Sequence, residues 1–353
     1  MRTKTAITAI TAIIILLISA LVSCGSATRD SFTLFSMDTF LDITLWNPKN
    51  AEESKTACET EADRLENLLS ATIAGSDVSA INTAEFSPTV VSRETAVCIS
   101  TATKINELTS GAYDVTVAPL VNLWDIAHPS ENWAPPADDE IASAMALCGG
   151  KLAVTGSDGS YSVTKSDENT KIDLGGVGKG YACGALSELF ASRGENGFLS
   201  YGGNVAVFGK KPDGSAFSVG VKNPFDPSSL TGKLSIRSGI VAVSGGYERY
   251  VDYNGKRYHH IIDPATGYPS ESDLASAGIW VSVSSPEAGA AADALSTACF
   301  VLGAEKSMEL YDSEEFKNYA KSLGCEFGFL FIKADGTLVM TDNISEIYSP
   351  FEK

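Results

Sequence analysis

Apolar and polar positions along the chain fall into segments of helical and of strand periodicity. Helical spacing of apolar residues, with helix stops such as Gly111 behind it, predicts helices over residues 50–70, 92–109, 139–148, 179–193, 286–301 and 305–322. Alternating segments and short apolar runs predict strands over residues 32–46, 161–164, 171–174, 197–208, 216–222, 233–237 and 275–283.

Two tight turns, at Asn254-Gly255 and Asp335-Gly336, predict β-hairpins, because both dipeptides tolerate the positive φ angles of such turns. The paired strands are 250–253 with 256–262, and 327–333 with 337–341. Strands and helices come in mixed groups without strict alternation, which favours an α+β fold over a doubly wound parallel sheet. No repeat or low-complexity linker divides the chain, so residues 32–350 are expected to form a single domain.

The N-terminus has the pattern of an exported lipoprotein. Arg2 and Lys4 precede an uncharged apolar stretch that ends in Leu-Val-Ser before Cys24. A basic start, an apolar core and a small residue at the cleavage point mark a secretory signal, and the ending resembles the lipobox of bacterial lipoproteins. The alternative is an uncleaved anchor, since the stretch is nearly long enough to span a bilayer. We expect a signal peptide over residues 1–23, a lipidated Cys24, a tether over 24–31, and a protein lipid-anchored to the bacterial cell membrane outside the cytoplasm.

The charge balance restricts the possible partners. The 353 residues include 26 Lys and Arg against 44 Asp and Glu, a net charge of −18. Removal of residues 1–23 takes away two basic residues and no acidic one, which brings the net charge to −20. A phosphate-binding surface would need a basic face, so nucleic acid is not an expected partner. Electrostatic docking on anionic lipid is disfavoured too, which leaves the lipidated cysteine as the membrane tether.

Six cysteines remain besides Cys24. An even number outside the cytoplasm permits disulfides, but most of the six lie in Ala-rich, helix-like surroundings, where cysteine usually serves as a small apolar residue. We therefore expect free thiols at Cys58, Cys98, Cys148, Cys183, Cys299 and Cys325. The sequence contains no Cys-x-x-Cys pair, so we do not expect a zinc or redox site.

A glycine cluster between a predicted strand and a predicted helix carries the first candidate chemistry. The segment Asp-Leu-Gly-Gly-Val-Gly-Lys-Gly begins at Asp173 and ends at Gly180. Glycines allow close approach to a phosphate, and a helix N-terminus favours negative charge. The segment matches neither a P-loop nor the dinucleotide fingerprint. A tight structural turn is the alternative, and Asp173 and Lys179 at its flanks favour a binding role.

The Ala-rich segment around Asp293 is the second candidate for a functional site. In a helix Asp293 and Thr297 share a face, with Ser296 beside them. A carboxylate in so apolar a helix needs a partner, and carboxylate and hydroxyl oxygens suit Mg²⁺. The alternative is an Asp that faces solvent.

Two adjacent histidines, His259 and His260, are the third candidate for a functional site. In a strand they point to opposite faces, so one of them at most serves a given site. Histidine is the natural general base near neutral pH. With an unperturbed pKa, catalysis would fall off below about pH 6.5. The alternative is a structural histidine beside the turn that starts at Asp263.

These segments together resemble the signatures of the ApbE-type flavin transferases. The chain has Asp-Leu-Gly-Gly-Val-Gly-Lys-Gly-Tyr, then His-Ile-Ile-Asp-Pro-x-Thr-Gly, then Ala-Asp-Ala-Leu-Ser-Thr, in that order. Further matches lie at residues 37–39, 76–82, 111–124, 201–203 and 244–249. The resemblance runs from about residue 34 to residue 345, nearly the whole chain after the signal peptide.

The resemblance implies a T-fold-like α+β structure that binds FAD as substrate and Mg²⁺ as cofactor. The family cleaves FAD, releases AMP and attaches FMN through a phosphoester to a Thr or Ser of another exported protein. By position, the FAD site would be lined by Met37, Ala112, Tyr113, Asp114, Asp173, Lys179 and Ile262. Mg²⁺ would bind Asp293, Thr297 and the carbonyl of Gly176, with Ser296 a further candidate ligand, and His260 would help to deprotonate the acceptor hydroxyl.

The resemblance also limits what can be expected. Several relatives carry Tyr or Asn beside the flavin, where this chain has Thr72. The implied partners are exported proteins with a Ser/Thr-Gly-Ala-Ser/Thr motif, such as subunits of sodium-pumping quinone reductases or Rnf-type complexes. Two alternatives stay open from sequence: a metal-dependent FAD pyrophosphatase, with water in place of the acceptor hydroxyl, and a non-catalytic flavin-binding lipoprotein.

Overall fold

The structure is a computed structural model, and it describes residues 28–157 and 159–351. The strands are β1 (Arg29–Ser36), β2 (Thr39–Trp46), β3 (Thr89–Val91), β4 (Leu152–Ser157), β5 (Ser160–Lys165), β6 (Asn196–Tyr201), β7 (Asn204–Phe208), β8 (Phe217–Lys222), β9 (Leu230–Ile236), β10 (Gly239–Gly245), β11 (Tyr250–Tyr253), β12 (Lys256–His259), β13 (Leu274–Val281), β14 (Phe327–Lys333), β15 (Leu338–Met340) and β16 (Tyr348–Pro350). The helices are α1 (Ala51–Leu69), α2 (Asp77–Thr83), α3 (Arg93–Leu108), α4 (Ala118–Trp124), α5 (Asp138–Met145), α6 (Gly178–Ser192), α7 (Pro286–Leu302), α8 (Ala304–Asp312), α9 (Glu314–Ser322) and α10 (Asp342–Ser345).

An eight-stranded sheet organises the molecule, in the order β1-β2-β6-β7-β10-β13-β14-β15. Every neighbouring pair in it is antiparallel. Three smaller sheets, β16-β9-β8, β3-β5-β4 and β11-β12, complete the strands of the described chain. Mixed helices and antiparallel sheets confirm the predicted α+β class. The division into a signal peptide, a tether and one domain stays a prediction, because residues 1–27 lie outside the described part.

The main sheet is apolar on both faces, and alternation along its strands assigns each residue to one of them. Ile240 and Ala242 of β10 belong to the large core that includes α6 and α7, whereas Val241 packs with β8 and β9. α6 and α7 meet backbone to backbone: a Cβ added to Gly180 would lie 2.1 Å from the carbonyl oxygen of Gly289. This close approach fixes where both helices present their polar residues.

Three predicted elements have different boundaries in the structure. Residues 32–46 are not one strand but the hairpin of β1 and β2, which turns at Met37-Asp38 with φ angles of 46° and 61°. Residues 197–208 also turn, at Gly202-Gly203, between β6 and β7. Residues 305–322 form two helices, because the Ser313 side chain accepts a hydrogen bond from the N–H of Phe316 and starts α9.

One further strand prediction was wrong, and one central strand was missed. Residues 171–174 form no strand, because the Asn82 side chain satisfies both the N–H and the carbonyl of Ile172 in place of a neighbouring strand. β10, near the centre of the main sheet, was not predicted, since glycines mark both of its ends. The remaining predicted helices and strands are present with shifts of a few residues at their ends.

The described residues contain no helix that is both long and apolar enough to cross a membrane. The predicted signal peptide and Cys24 lie outside these residues. The other six cysteines are all free thiols, as expected, and burial raises the pKa of each, for example to about 12 at Cys299.

Candidate functional site

Several turns gather at one end of the main sheet. A Cβ added to Gly202, in the β6–β7 turn, would lie 2.8 Å from the Thr39 side chain and 3.0 Å from Cδ of Lys179. One added to Gly203 would lie 3.1 Å from the carbonyl oxygen of Val243, near the end of β10. The β1–β2 turn, the β6–β7 turn, the end of β10 and the start of α6 therefore share one neighbourhood.

Asp293 of α7 reaches the N-terminus of α6. Its Oδ2 accepts a hydrogen bond of 2.8 Å from the N–H of Gly180, and the residue is 5% exposed. α6 has no side-chain cap of its own, since its N-cap is Val177. Asp293 therefore supplies the acceptor for one of the free N–H groups of this helix end, where negative charge is favourable. The solvent-facing alternative is excluded, because the carboxylate is buried.

Three hydroxyls beside Asp293 form a directed chain of hydrogen bonds. Ser296 donates to the carbonyl oxygen of Asp293 at 2.8 Å. Since its proton is used there, Ser244 of β10 is the donor in the 2.7 Å contact with Ser296. Ser244 then has to accept in the 3.1 Å contact with Thr297. Both lone pairs of Thr297 Oγ1 are thus left for another electrophile, as a metal ligand requires.

Gly176, whose backbone carbonyl is a predicted metal ligand, lies beside Thr297. A Cβ added to Gly176 would lie 3.5 Å from Thr297 Oγ1 and 3.3 Å from the hydroxyl of Tyr113. That hydroxyl is buried and has no hydrogen-bond partner within the described chain. Burial, with Asp293 and Asp173 nearby, raises the pKa of Tyr113 well above its ordinary value. A neutral, unpartnered donor in a buried position fits a site shaped to receive a polar ligand.

The glycine turn before α6 is held by its two flanking charged residues. Asp173 Oδ1 accepts from the N–H of Gly175 at 2.6 Å, and the Asp173 N–H donates to Val115 at 2.8 Å. The Lys179 ammonium donates to the carbonyl of Gly175 from one turn further on. Its carbon chain lies against the Gly202 turn, so the structure holds a cation at the helix end that the sequence predicted for phosphate.

The predicted FAD-contacting residues are spread more widely than the metal set. Asp114 closes the turn before α4, where its Oδ1 accepts from Thr116 N–H at 2.7 Å. Ala112 lies in the turn after α3, and Met37 in the β1–β2 turn. Ile262 follows β12 and packs with a separate apolar cluster around Trp124. Thr72 is exposed and bonds to Ser70.

The two histidines have different environments, as strand alternation predicts. His259 Nε2 lies 2.9 Å from the Ser270 carbonyl, and its Nδ1 accepts from the Ile261 N–H at 3.3 Å. Both nitrogens are thus occupied, and the ring packs edge-on against Phe300. His259 is a structural residue.

His260 has one ring nitrogen bound and one free of protein partners in the described chain. Nδ1 lies 3.2 Å from the carbonyl oxygen of Arg249, which can only accept, so the proton is on Nδ1 and Nε2 carries a lone pair. Burial, with Arg249 and Lys179 nearby, lowers the pKa of His260 to about 3. The pKa of His260 is therefore not the unperturbed one, and a loss of rate through protonation of this ring is expected at a pH below the value of about 6.5 that an unperturbed histidine would give.

Three residues without an assigned role from sequence take part in this arrangement. Ser244 directs the hydroxyl chain, and Arg249 orients His260. Asn204 follows the Gly202–Gly203 turn, is 1% exposed, and has no hydrogen-bond partner for either amide atom among the described residues. The motifs 201–203 and 244–249 pointed to the region, but these contacts depend on tertiary structure. The described surface also has a depression of about 530 Å³ between residues 263 and 303, and none of the predicted site residues lines it.

Comparison with known proteins identifies the family. The ApbE family model matches residues 37–320. The chain belongs to the ApbE family. Among curated relatives, the FAD:protein FMN transferase of Escherichia coli is 32% identical over 275 residues, 77% of each chain. That of Treponema pallidum is 30% identical over 309 residues, 82% of this chain and 83% of the relative.

The ApbE fold is also that of solved structures. The ApbE protein of Thermotoga maritima superposes with a TM-score of 0.77 at 30% identity, over 91% of this chain and 99% of the other. The flavin transferase ApbE of Vibrio cholerae superposes with a TM-score of 0.76 at 24% identity, over 91% of this chain and all of the other. The fold expected from the resemblance is thereby confirmed.

Proposed function

We propose that this ApbE protein is an Mg²⁺-dependent FAD:protein FMN transferase. Family membership and the relatives of that name support the reaction. The observation that carries the proposal is the oxygen group of Asp293, Thr297 and Gly176 at the start of α6, in which the lone pairs of Thr297 Oγ1 are left for a metal. Lys179, in the first turn of the same helix, also carries the charge that helps to lower the pKa of His260.

The residues present fit Mg²⁺. The ion prefers oxygen ligands and keeps several waters, so one carboxylate, one hydroxyl and one carbonyl suffice when substrate phosphates complete its shell. Asp293, Thr297 and Gly176 supply this set, and Thr297 is oriented for it by Ser244. Within the described residues, His, Cys, Asp and Glu form no group of three that could hold a metal otherwise. When bound, Mg²⁺ would supply positive charge to the pyrophosphate.

The residues around the glycine turn would bind and orient FAD. Lys179 and the free N–H groups at the start of α6 favour the pyrophosphate. The Tyr113 hydroxyl, buried without a partner in the described chain, would donate to the ligand. Phosphoryl transfer needs mainly such positioning and charge, because the protein itself forms no covalent bond to the phosphorus.

His260 would act as the base for the acceptor. The hydroxyl oxygen of an acceptor Thr or Ser bonds to the phosphorus of the FMN half, the pyrophosphate bond to the AMP half breaks, and AMP leaves. Nε2 of His260 takes the hydroxyl proton, and Nδ1 keeps its proton on the Arg249 carbonyl throughout. A protein that only stores flavin would need no base, so a role of His260 as the base would distinguish a transferase from a flavin-binding protein.

We also propose that the enzyme works outside the cytoplasm as a lipoprotein anchored through Cys24. Its acceptors would be exported proteins that carry a Ser/Thr-Gly-Ala-Ser/Thr motif. The N-terminal signal pattern supports this location, and the acidic composition offers no second membrane signal.

AMP release from FAD, measured with and without Mg²⁺ and with and without an acceptor fragment bearing the motif, tests the function. The proposal predicts Mg²⁺-dependent AMP release that is stoichiometric with fluorescent, acid-stable flavin on the acceptor. AMP release independent of the acceptor, with free FMN as the product, would identify a pyrophosphatase instead. FAD binding without AMP release under any condition would identify a flavin-binding protein.

A further inference from the structure

We propose that Arg249 is a positioning residue that couples the Met37–Asp38 turn to the base His260. The inference rests on the proposed function, in which that turn contacts FAD and His260 serves the acceptor. Arg249 itself touches neither substrate in this account. It acts through its side chain on one partner and through its backbone carbonyl on the other.

The Met37–Asp38 turn needs an external contact to hold its conformation. Both residues have positive φ, 46° and 61°, although neither is glycine. Ser36 pairs with Thr39 across them, so they form a two-residue turn of type I′. Residues other than Gly, Asn and Asp rarely adopt positive φ angles. Met37, at the first position of the turn, is therefore in an unfavourable backbone conformation. Such conformations persist where the surroundings enforce them, and they concentrate at functional sites.

Arg249 supplies the enforcing contact. Its Nη2 donates to the Asp38 carbonyl oxygen at 2.7 Å, and its Nη1 lies 3.3 Å from Asp38 Oδ2. The His128 ring also approaches that oxygen, at 2.9 Å. The side chains of Arg249 and Asp38 are 37% and 47% exposed, so charge attraction alone would contribute little. The bond to the backbone carbonyl is what fixes the turn, because it does not depend on the Asp38 rotamer.

The carbonyl of Arg249 holds His260 at the same time. It accepts from the His260 backbone N–H at 3.1 Å and faces Nδ1 at 3.2 Å, which continues the β11–β12 ladder by one residue. A displacement of Arg249 would therefore move the ring and release its tautomer. Arg249 thus fixes the position of the Met37–Asp38 turn, the proposed FAD contact, relative to Nε2 of His260, the atom that takes the acceptor proton.

The charge of Arg249 also acts on the base. The charged and titratable groups that influence His260 are Arg249, Lys179 and His259, and all three disfavour a proton on the ring. Removal of the Arg249 charge should therefore raise the pKa of His260, whereas Lys in its place keeps a positive charge and should raise it less. A purely structural arginine elsewhere would leave that pKa unchanged, which makes the titration a specific readout.

An NMR titration of the histidine rings tests the coupling. The chain has three histidines, His128, His259 and His260, so their ring resonances can be assigned with single variants. In the wild type we expect His260 to stay neutral with its proton on Nδ1 at pH 5. Arg249→Gln should raise the pKa of His260 and mix its tautomers, and Arg249→Lys should mix the tautomers with a smaller rise. Arg257→Gln is the matched control, since Arg257 binds Asp252 within the β11–β12 hairpin, contacts neither Asp38 nor His260 through a hydrogen bond, and should leave His260 unchanged.

Measurement of FAD binding tests the contact between Arg249 and the Met37–Asp38 turn. Loss of a charge-assisted hydrogen bond should weaken FAD binding by about tenfold in Arg249→Gln. Asp38→Gly in that background should recover part of the affinity, because glycine adopts the positive φ without strain, but it should leave the His260 pKa shifted. An unchanged His260 tautomer and pKa in Arg249→Gln would overturn the inference. So would a loss of affinity that Asp38→Gly does not recover. Because the titration needs neither FAD nor acceptor, it decides the inference even where FMN transfer itself fails.

Discussion

Asp293 of α7 accepts a 2.8 Å hydrogen bond from the N–H of Gly180 in α6, so a single carboxylate joins the two helices that build the site. The contact is possible because no side chain separates the helices at this point. A Cβ added to Gly180 would lie 2.5 Å from Cβ of Asp293. The carboxylate therefore has two functions, one in helix packing and one in the proposed metal binding, and substitutions can separate them.

Asp293→Ala and Asp293→Asn should differ in stability but not in activity. Both remove the only carboxylate of the proposed Mg²⁺ set and should abolish Mg²⁺-dependent FAD cleavage. Alanine also leaves the Gly180 N–H without its acceptor, at a cost of about 1–3 kcal/mol, whereas asparagine keeps an acceptor oxygen. Thermal melts and AMP release at limiting Mg²⁺ check both. Wild-type cleavage in Asp293→Asn would show that the metal lies elsewhere.

Gly180→Ala should destabilise the protein, because the new methyl group would lie 2.1 Å from the Gly289 carbonyl oxygen. Overpacking of this kind costs about 1–3 kcal/mol or more, since backbone must move. Gly178→Ala, two residues earlier in the same helix, meets only Leu69 at 3.6 Å and is the matched control. Denaturant unfolding of both variants measures the difference. Equal unfolding free energies would mean that the helices do not pack as closely as described.

Sequence patterns predicted the long elements because burial of one face imposes a regular period. α1 and α3 have clear helical spacing, whereas α7 is buried on nearly all sides and was predicted from its Ala-rich composition; the structure confirms all three. The β1–β2 turn was not visible, because Met37 is not a residue that signals positive φ and no Gly follows Asp38. Residues 171–174 have a strand-like composition, but Asn82 takes the place of a partner strand. Local sequence contains no information on such a distant side chain.

The candidate site was predictable where a motif carries the chemistry, and not where geometry does. Asp293, Thr297 and Gly176 were expected from the family resemblance, and the structure places them together. The orienting function of Ser244 follows only from two hydroxyl contacts between β10 and α7 and from the bond of Ser296 to the Asp293 carbonyl within α7. The low pKa of His260 likewise depends on burial and on Arg249, which sequence spacing does not reveal.

Stability should fall as the pH is lowered below about 6.5. The folded protein disfavours protonation of both His259 and His260, whose pKa values are lowered, whereas the unfolded chain takes up those protons at ordinary histidine pKa values. The unfolded state therefore binds more protons below pH 6.5, and the loss continues towards pH 3. Urea unfolding between pH 7.5 and 4.5 measures this. His260→Asn should reduce the slope, and an unchanged slope would mean that His260 is not kept neutral.

Cys24→Ala should release an active protein from the membrane fraction. The signal pattern ends at this residue, and the acidic chain after it carries no other membrane signal. Fractionation of cells that express each form, followed by AMP release from FAD, checks the location and the activity separately. A variant that resists salt washing and stays with the membrane would support an uncleaved anchor.

Single-turnover FMN transfer to a Thr-containing acceptor, compared between His260→Asn and His259→Asn, tests the central claim most directly. His260→Asn should slow transfer by about 10²–10⁴-fold, the usual contribution of a positioned base, while FAD binding changes little. His259→Asn should lower the melting temperature, because it removes the contacts to Ser270 and Phe300, yet transfer per folded molecule should stay near the wild-type rate. Equal losses of transfer in both variants, or no loss in either, would contradict a role for His260 as the base.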